Sequence, residues 1–193
     1  MTLAKYKKKR NFNKTPEPKG KIGTKKVSKL LYIIQKHAAS HLHYDFRLEL
    51  NGVLLSWAVP KGPCLDPTVK RLAMHVEDHP IEYGSFEGII PKGQYGGGTV
   101  MLWDTGEWIP EEDKDPQKAY QAGSLKFTLK GDKLKGLWKL IRINKNDKTW
   151  LLIKGKDKYS VSLNEYDILT EKPNSVLTNQ SIDEITENHS AND

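Results

Sequence analysis

Turn-forming residues recur so often along this chain that only short extended segments fit between them. Asn51-Gly52, Pro60 with Gly62 and Pro63, Gly84, Gly93, Asp104-Thr105-Gly106, Gly131-Asp132 and Asn144 to Asp147 divide the middle of the sequence. The runs they bound are six to eight residues long: Leu30 to Gln35, His43 to Leu50, Val53 to Val59, Arg71 to Glu77, Gly98 to Asp104, Ser124 to Leu129, Gly136 to Ile143 and Thr149 to Lys154. They are rich in β-branched and aromatic residues, and several alternate polar with apolar positions, the period of a strand with one buried face. Asn51-Gly52 between two such runs is a type I′ hairpin signal. Only Pro116 to Ala122 reads as a helix, and a short one. Many short strands with frequent turns predict an all-β fold, a compact antiparallel barrel with short helices.

A chain of 193 residues suffices for one domain with a true core and not for two full-sized ones. Three parts are expected: a basic extended arm over residues 1–28, the barrel over 29–170, and an acidic, flexible, disordered tail over 171–193. Thr15-Pro16-Glu17-Pro18 in the arm is incompatible with a helix, because each proline restricts its predecessor. The arm is able to become ordered on the body or on a ligand. Lysine and arginine crowd it against Glu17 alone, and the tail after Thr170 carries Glu171, Asp183, Glu184, Glu187 and Asp193 against Lys172 alone. The net charge of +7 favours polyanionic partners and salt-sensitive binding.

No apolar run approaches the ~18–20 residues of a membrane span, and the basic start lacks the apolar stretch of a secretory signal. No membrane association and a cytoplasmic location are therefore expected. A single cysteine, Cys64, allows neither an internal disulfide nor a cysteine-rich zinc site. With no base beside it, Cys64 reads as a semi-buried packing residue rather than a nucleophile. The glycine-rich stretch Glu87 to Gly98 lacks the Gly-Lys-Ser/Thr ending of a phosphate-cradling loop, and its glycines are expected to serve turns and bulges at the barrel rim. The five tryptophans are expected in the core.

The densest chemistry lies between Gln35 and Glu49. As a strand, residues 43–49 place His43, Asp45, Arg47 and Glu49 on one face and Tyr44, Phe46 and Leu48 on the other. Half of the chain's six histidines fall within the seven residues from His37 to His43. Neutral imidazoles with a carboxylate suit Mn²⁺, Zn²⁺ or Fe²⁺. His37, His43 and Asp45 form the candidate ligand set, with His37 reaching back through a turn-like segment, and Arg47 stands where it can hold an anion bound to the same ion. The bland reading is an exposed strand face with an Asp45–Arg47 pair. His41 shares the parity of His43 but falls in the turn. Downstream, His75, Glu77 and His79 share a strand face. A histidine there can hold phosphate or serve as general acid, and Tyr83 can donate a hydrogen bond to a phosphoryl oxygen.

These stretches together resemble the 3′-phosphoesterase domain of bacterial DNA ligase D, in its stand-alone form. The matching residues are Arg10-Asn11-Phe12 with Thr15-Pro16-Glu17-Pro18; His37 to Leu50; Trp57 to Pro63; Lys70 to Ala73; His75 to Pro80; and Phe86 to Gly98. The resemblance runs from about residue 10 to 160, in the family's order. It implies a β-barrel with a crescent-shaped polar groove and Mn²⁺ held by His37, His43 and Asp45, with Zn²⁺ or Co²⁺ as substitutes. It implies that Arg47 and His79 bind the scissile phosphate beside Tyr83, with Arg10, Glu17 and Gln35 supporting the chemistry and Lys61 and Arg71 contacting substrate. The implied activity removes a 3′-terminal ribonucleoside from a primer-template end, DNA or RNA-tipped DNA, and then the remaining 3′-phosphate. Separate ligase, polymerase or Ku-like proteins would be partners in end-joining repair. Asn11 departs from the aspartate usual in the family, and His41 from its basic or variable residue. Two other classes compete: a non-catalytic DNA-end adaptor, and an Fe(II) oxygenase built on His43-x-Asp45 with a distal histidine such as His79.

Overall fold

The computed structural model describes residues 2–23, 29–145 and 148–190, with the side chains of residues 189 and 190 outside that description. Lys25 and Lys26 of the arm and part of the Asn144 to Asp147 turn therefore lie outside the described residues. A short helix α1 (Ala4–Lys8) precedes the strands β1 (Leu30–Ala38), β2 (Leu42–Leu50), β3 (Val53–Val59) and β4 (Lys70–His75). A single-turn 3-10 helix (Ile81–Ser85) and β5 (Gly88–Ile90) lead into the long strand β6 (Gly98–Pro110). Helix α2 (Pro116–Ala122), strands β7 (Ser124–Gly131), β8 (Lys135–Arg142) and β9 (Thr149–Lys154), and helices α3 (Ile168–Glu171) and α4 (Ile182–Ser190) complete the chain.

All pairings between the strands are antiparallel. The order β1-β2-β3-β4-β9-β8-β7-β6 closes on itself through β1–β6, giving an eight-stranded barrel, and β5 adds to the end of β6. Asn51 and Gly52 turn the β2–β3 hairpin with φ of 52° and 78°, both positive as a type I′ turn requires. Helix α2 occupies the expected residues: Asp115 accepts from the amides of Gln117 and Lys118, Pro116 opens the first turn, and Gly123 closes it in the left-handed region.

The barrel interior is solid. Tyr44, Phe46, Leu48 and Leu50 from β2 meet Leu55, Trp57 and Val59 from β3, with Trp103, Trp108, Trp138 and Trp150 filling the remainder. All five tryptophans are buried, as their positions in strands predicted, and pack in the interior of the barrel. A second, smaller cluster of Tyr6, Ile33, Leu54, Tyr83 and Leu102 sits on the outer side of the wall formed by β1, β2, β3 and β6.

Three sequence expectations are corrected. Asp104-Thr105-Gly106 is not a turn: β6 continues through it, paired with β1 from Thr99 to Trp108 across one register shift beside Asp104, and with β7 on its other edge from Gly106 onward. Asp104 points instead to the β7–β8 turn, accepting from the amides of Lys133 and Leu134 and from the Tyr32 hydroxyl. A Cβ on Gly106 would lie 2.2 Å from the Lys130 carbonyl, so glycine is what lets the two strands approach. The arm over residues 2–23 is not simply extended. Helix α1 docks on the outer wall through Leu3 and Tyr6, few anchors in composition but both buried, and the Tyr6 hydroxyl donates to the Pro18 carbonyl at 2.6 Å. The tail, read as disordered, is folded through residue 190. Val176 donates its amide to Leu102, Ser175 and Thr178 hydroxyls donate to Glu87, and Ile185 of α4 is buried against the core. Isolated apolar residues in an acidic segment carry no periodic signal, but Val176, Ile182 and Ile185 pack against the barrel while Leu177 stays exposed.

Candidate metal centre

The centre lies on the outer face of the barrel wall, because the pleat of β2 sends His43, Asp45, Arg47 and Glu49 away from the packed interior. His37 does not need a turn to reach back. It sits on β1 as the direct cross-strand partner of His43, and Gln35 is the partner of Asp45. The rings of His37 and His43 are 4.8 Å apart, centroid to centroid.

Both imidazoles are oriented by carbonyls. Nε2 of His37 lies 2.8 Å from the Gly96 carbonyl, and Nδ1 of His43 lies 2.9 Å from the His41 carbonyl. A carbonyl only accepts, so these nitrogens carry the protons. The remaining nitrogens, His37 Nδ1 and His43 Nε2, then turn lone pairs toward the two oxygens of Asp45, at 3.6 and 3.7 Å. Lone pairs facing a carboxylate repel unless a cation lies between them. The three ligand atoms fall within 4.8 Å of one another, so this donor set fits a divalent ion. Gly96, with φ of 76°, adopts the left-handed backbone that aims its carbonyl at His37, a role for the glycine-rich stretch that the sequence did not disclose.

Arg47 is buried, lines the groove, and each nitrogen of its fork is held by at least one oxygen. Nε donates to Gln35 Oε1 at 2.9 Å, one terminal nitrogen to Ser56 Oγ at 2.8 Å, and the other to Asp45 Oδ2 at 3.1 Å. Gln35 is itself fixed, donating to the carbonyls of Tyr83 and Phe86. Burial opposes ionisation of Asp45, but the Arg47 guanidinium beside it outweighs burial and holds the carboxyl well below the usual carboxylate range. Arg47 also approaches His79 Nδ1 at 3.0 Å, while Arg10 approaches His79 Nε2 at 3.2 Å. Burial, then Arg47 and Arg10, push His79 well below its ordinary value. His79 is therefore a neutral ring held between two cations. With Arg47 at Nδ1 and Arg10 at Nε2 it stands outside the ligand cluster, so the histidine that joins His43-x-Asp45 is His37 and not His79.

The arm completes the wall. Arg10 pairs with Glu17 at 2.8 Å and Glu77 at 3.3 Å and lies 4.0 Å over the Tyr6 ring. Thr15 donates to the second oxygen of Glu17. Tyr83 is buried beneath Arg47, its ring 4.9 Å from the guanidinium carbon. Arg10, His37, His43, Asp45, Arg47, His79 and Tyr83 thus line one groove of about 340 Å³. Lys61 and Arg71 do not line it: Lys61 is exposed in the turn after β3, and Arg71 lies on β4 with its Nε buried and without a hydrogen-bond partner among the described residues. Asn11 is exposed, and its side chain accepts from the Asn13 amide. Sequence reasoning missed Ser56, which anchors Arg47, and Tyr95, which lines the groove. Their only signal was strand parity for Ser56 and an aromatic among glycines for Tyr95.

The fold and site together define a closed antiparallel β-barrel with a candidate divalent-metal centre on its outer wall, backed by a buried arginine. The chain belongs to the DNA ligase D 3′-phosphoesterase domain family, whose model matches residues 35–142. It is 54% identical over 183 residues to the multifunctional non-homologous end joining protein LigD of Pseudomonas aeruginosa, covering 93% of this chain and 22% of that protein. It is 43% identical over 162 residues to the LigD of Mycolicibacterium smegmatis, covering 81% of this chain and 21% of the relative. The LigD of Mycobacterium tuberculosis H37Rv matches at 40% over 167 residues, 86% of this chain and 21% of the relative. The chain spans about a fifth of the length of these curated relatives.

Proposed function

We propose that this chain is a metal-dependent phosphoesterase that processes nucleic-acid 3′ ends for end-joining repair, first removing a terminal ribonucleoside and then the 3′-phosphate. The observation that carries this reading is the convergence of His37, His43 and Asp45 with Arg47 bonded to the same carboxylate. Family membership and the end-joining relatives support it. Mn²⁺ is the proposed ion, with Zn²⁺ or Co²⁺ able to replace it, held by His37 Nδ1, His43 Nε2 and Asp45. When bound, it supplies Lewis-acid polarisation of a phosphate oxygen.

The protein's own groups do the rest. Asp45 stays ionised and so remains a ligand at any ordinary pH. Arg47, its fork set by Gln35 and Ser56, is preorganised to face charge building on the phosphoryl oxygens. Arg10 offers a second guanidinium on the far side of His79. A phosphate seated there meets two fixed cations and a neutral imidazole. In the resting site His79 Nδ1 lies 2.9 Å from the Glu77 carbonyl and so carries the one ring proton; Nε2 can accept a hydrogen bond or a proton, and the ring has no spare proton to give as a general acid. The arm, which contributes Arg10 and Glu17, is part of this machinery rather than a tether.

The test is a 5′-labelled primer-template ending in one 3′ ribonucleotide, and a second ending in a 3′-phosphate, incubated with Mn²⁺. The expected products are a 3′-phosphate and then a 3′-hydroxyl, with both conversions lost in His43→Ala and on chelation. Intact ends held tightly by the wild-type protein would instead establish the adaptor reading.

A further inference from the structure

A larger cavity, about 630 Å³, lies beside the candidate centre. It shares Val76, Glu77 and Tyr95 with the groove of the centre, so the two form one continuous trough with Tyr95 on the divide. Lys5 and Lys9 of the arm and Lys148, just before β9, reach into it. Met74 and Val76 give it an apolar floor, and Gln117 and Tyr120 of α2 face it from the other side.

Of its two carboxylates, Glu77 is paired with the cations Lys9 and Arg10, and Asp78 accepts from the Thr2 amide at 3.1 Å and is within electrostatic reach of Lys5. Of the three lysines, only Lys9 forms a salt bridge among the described residues. The positive field converges on the trough wall. His75, which accepts from or donates to the Tyr120 hydroxyl at 2.9 Å, is pushed down to about 4 by burial and then by Lys148, Arg142 and Lys5. Tyr95 is 47% exposed, with the Lys9 ammonium 4.4 Å from its ring. A cationic rim, an apolar floor and a half-exposed aromatic ring are what a single nucleic-acid strand requires: backbone phosphates meet lysines while bases lie on carbon and stack.

We infer that the strand bearing the 3′ end lies along this trough, Lys5 and Lys148 taking backbone phosphates upstream of the scissile one and Tyr95 stacking the base nearest the centre. This rests on the proposed function and adds the substrate path, which neither family membership nor the metal ligands specify.

The test uses the full chain with a long 3′-phosphate strand and a dinucleotide, measured for turnover and, by fluorescence anisotropy, for binding across a salt series. In a Lys5→Ala, Lys148→Ala double variant, KM and Kd for the long strand rise several-fold with kcat retained. The slope of log affinity against log salt falls by about 1.4, the share of two phosphates on a single strand. The gap from wild type narrows on the dinucleotide, which is too short to reach both lysines. Tyr95→Ala raises KM about tenfold, a typical cost of losing one base–aromatic stack; Tyr95→Phe, which keeps the ring and loses only the hydroxyl that accepts from Lys9 at 2.9 Å, recovers most of that loss, and an abasic terminal residue removes the Tyr95→Ala effect. A double variant with the wild-type salt slope on the long strand overturns the inference, as does a Tyr95→Ala effect equally large on abasic ends. A wild type inactive on the 3′-phosphate primer-template as well would sink the proposed function instead, while the anisotropy series would still read the trough.

Discussion

At the scale of single residues the centre is governed by Arg47. It donates to three different oxygens while buried, so the fork shape matters as much as the charge. Lysine presents one ammonium on a flexible stem and cannot reproduce three directed bonds. Arg47→Lys is therefore expected to lose activity nearly as completely as Arg47→Ala, at least ~100-fold in kcat/KM. Arg47→Ala also leaves Asp45 and His79 without their partner and is expected to lower unfolding free energy by about 3–5 kcal/mol; steady-state turnover of the two variants checks the first effect and urea unfolding the second. His75 governs a different property. Its folded value of about 4 lies below its ordinary 6.5, so the unfolded chain binds more protons between those limits. Stability from this group is fully present above about pH 6.5 and drains away as pH falls toward 4. The groups facing it are Lys5 of the arm, Lys148, Arg142 of β8 and the Tyr120 hydroxyl of α2. The melting temperature of the wild-type protein is expected to fall from pH 7 to pH 5, and His75→Phe to flatten that dependence; equal slopes would refute it.

At the scale of elements, the β1–β2 hairpin and the arm share the work. The hairpin's register sets the metal ligands opposite one another, and a one-residue slip would send Asp45 into the core. The arm contributes through packing: Tyr6 is fully buried, edge-on to His79 at 5.0 Å and under Arg10 at 4.0 Å. Tyr6→Ala is expected to cost about 3–5 kcal/mol, the usual range for an emptied aromatic site. It should also reduce activity, because Arg10 loses the surface that holds it beside His79. Measuring both is decisive, since a variant that is destabilised yet fully active would show that the arm only covers the barrel. Strand β5 and the segment to Gly98 act likewise, supplying the Gly96 carbonyl that orients His37.

At the scale of the molecule, the solid interior forces function to the outside. Five buried tryptophans pack in the interior of the barrel, so the wall serves as a platform and the arm, the segment from Val76 to Gly98 and the centre enclose the groove against it. Trp138→Ala, far from the centre, is expected to lower stability by about 3–5 kcal/mol without changing KM at a temperature where the variant stays folded. The net charge of +7 sets the other global property: affinity for long strands should fall steadily with added salt.

Local pattern was sufficient for much of this protein. Turn residues and period-two alternation located eight of the nine strands, and the capped helix Pro116–Ala122 was legible to the residue, because hairpin turns and helix caps act through neighbours in sequence. The face shared by His43, Asp45 and Arg47 was legible for the same reason, since side-chain alternation belongs to the strand itself. Ring closure through β1–β6, the opposition of His37 to His43, the docking of Tyr6 and Ile185, and the aim of the Gly96 carbonyl were not. Each joins residues whose meeting depends on register and packing across the whole barrel. An isolated Leu3 or Ile185 has no period to announce it, and only the shape of the surface it fills gives it a place.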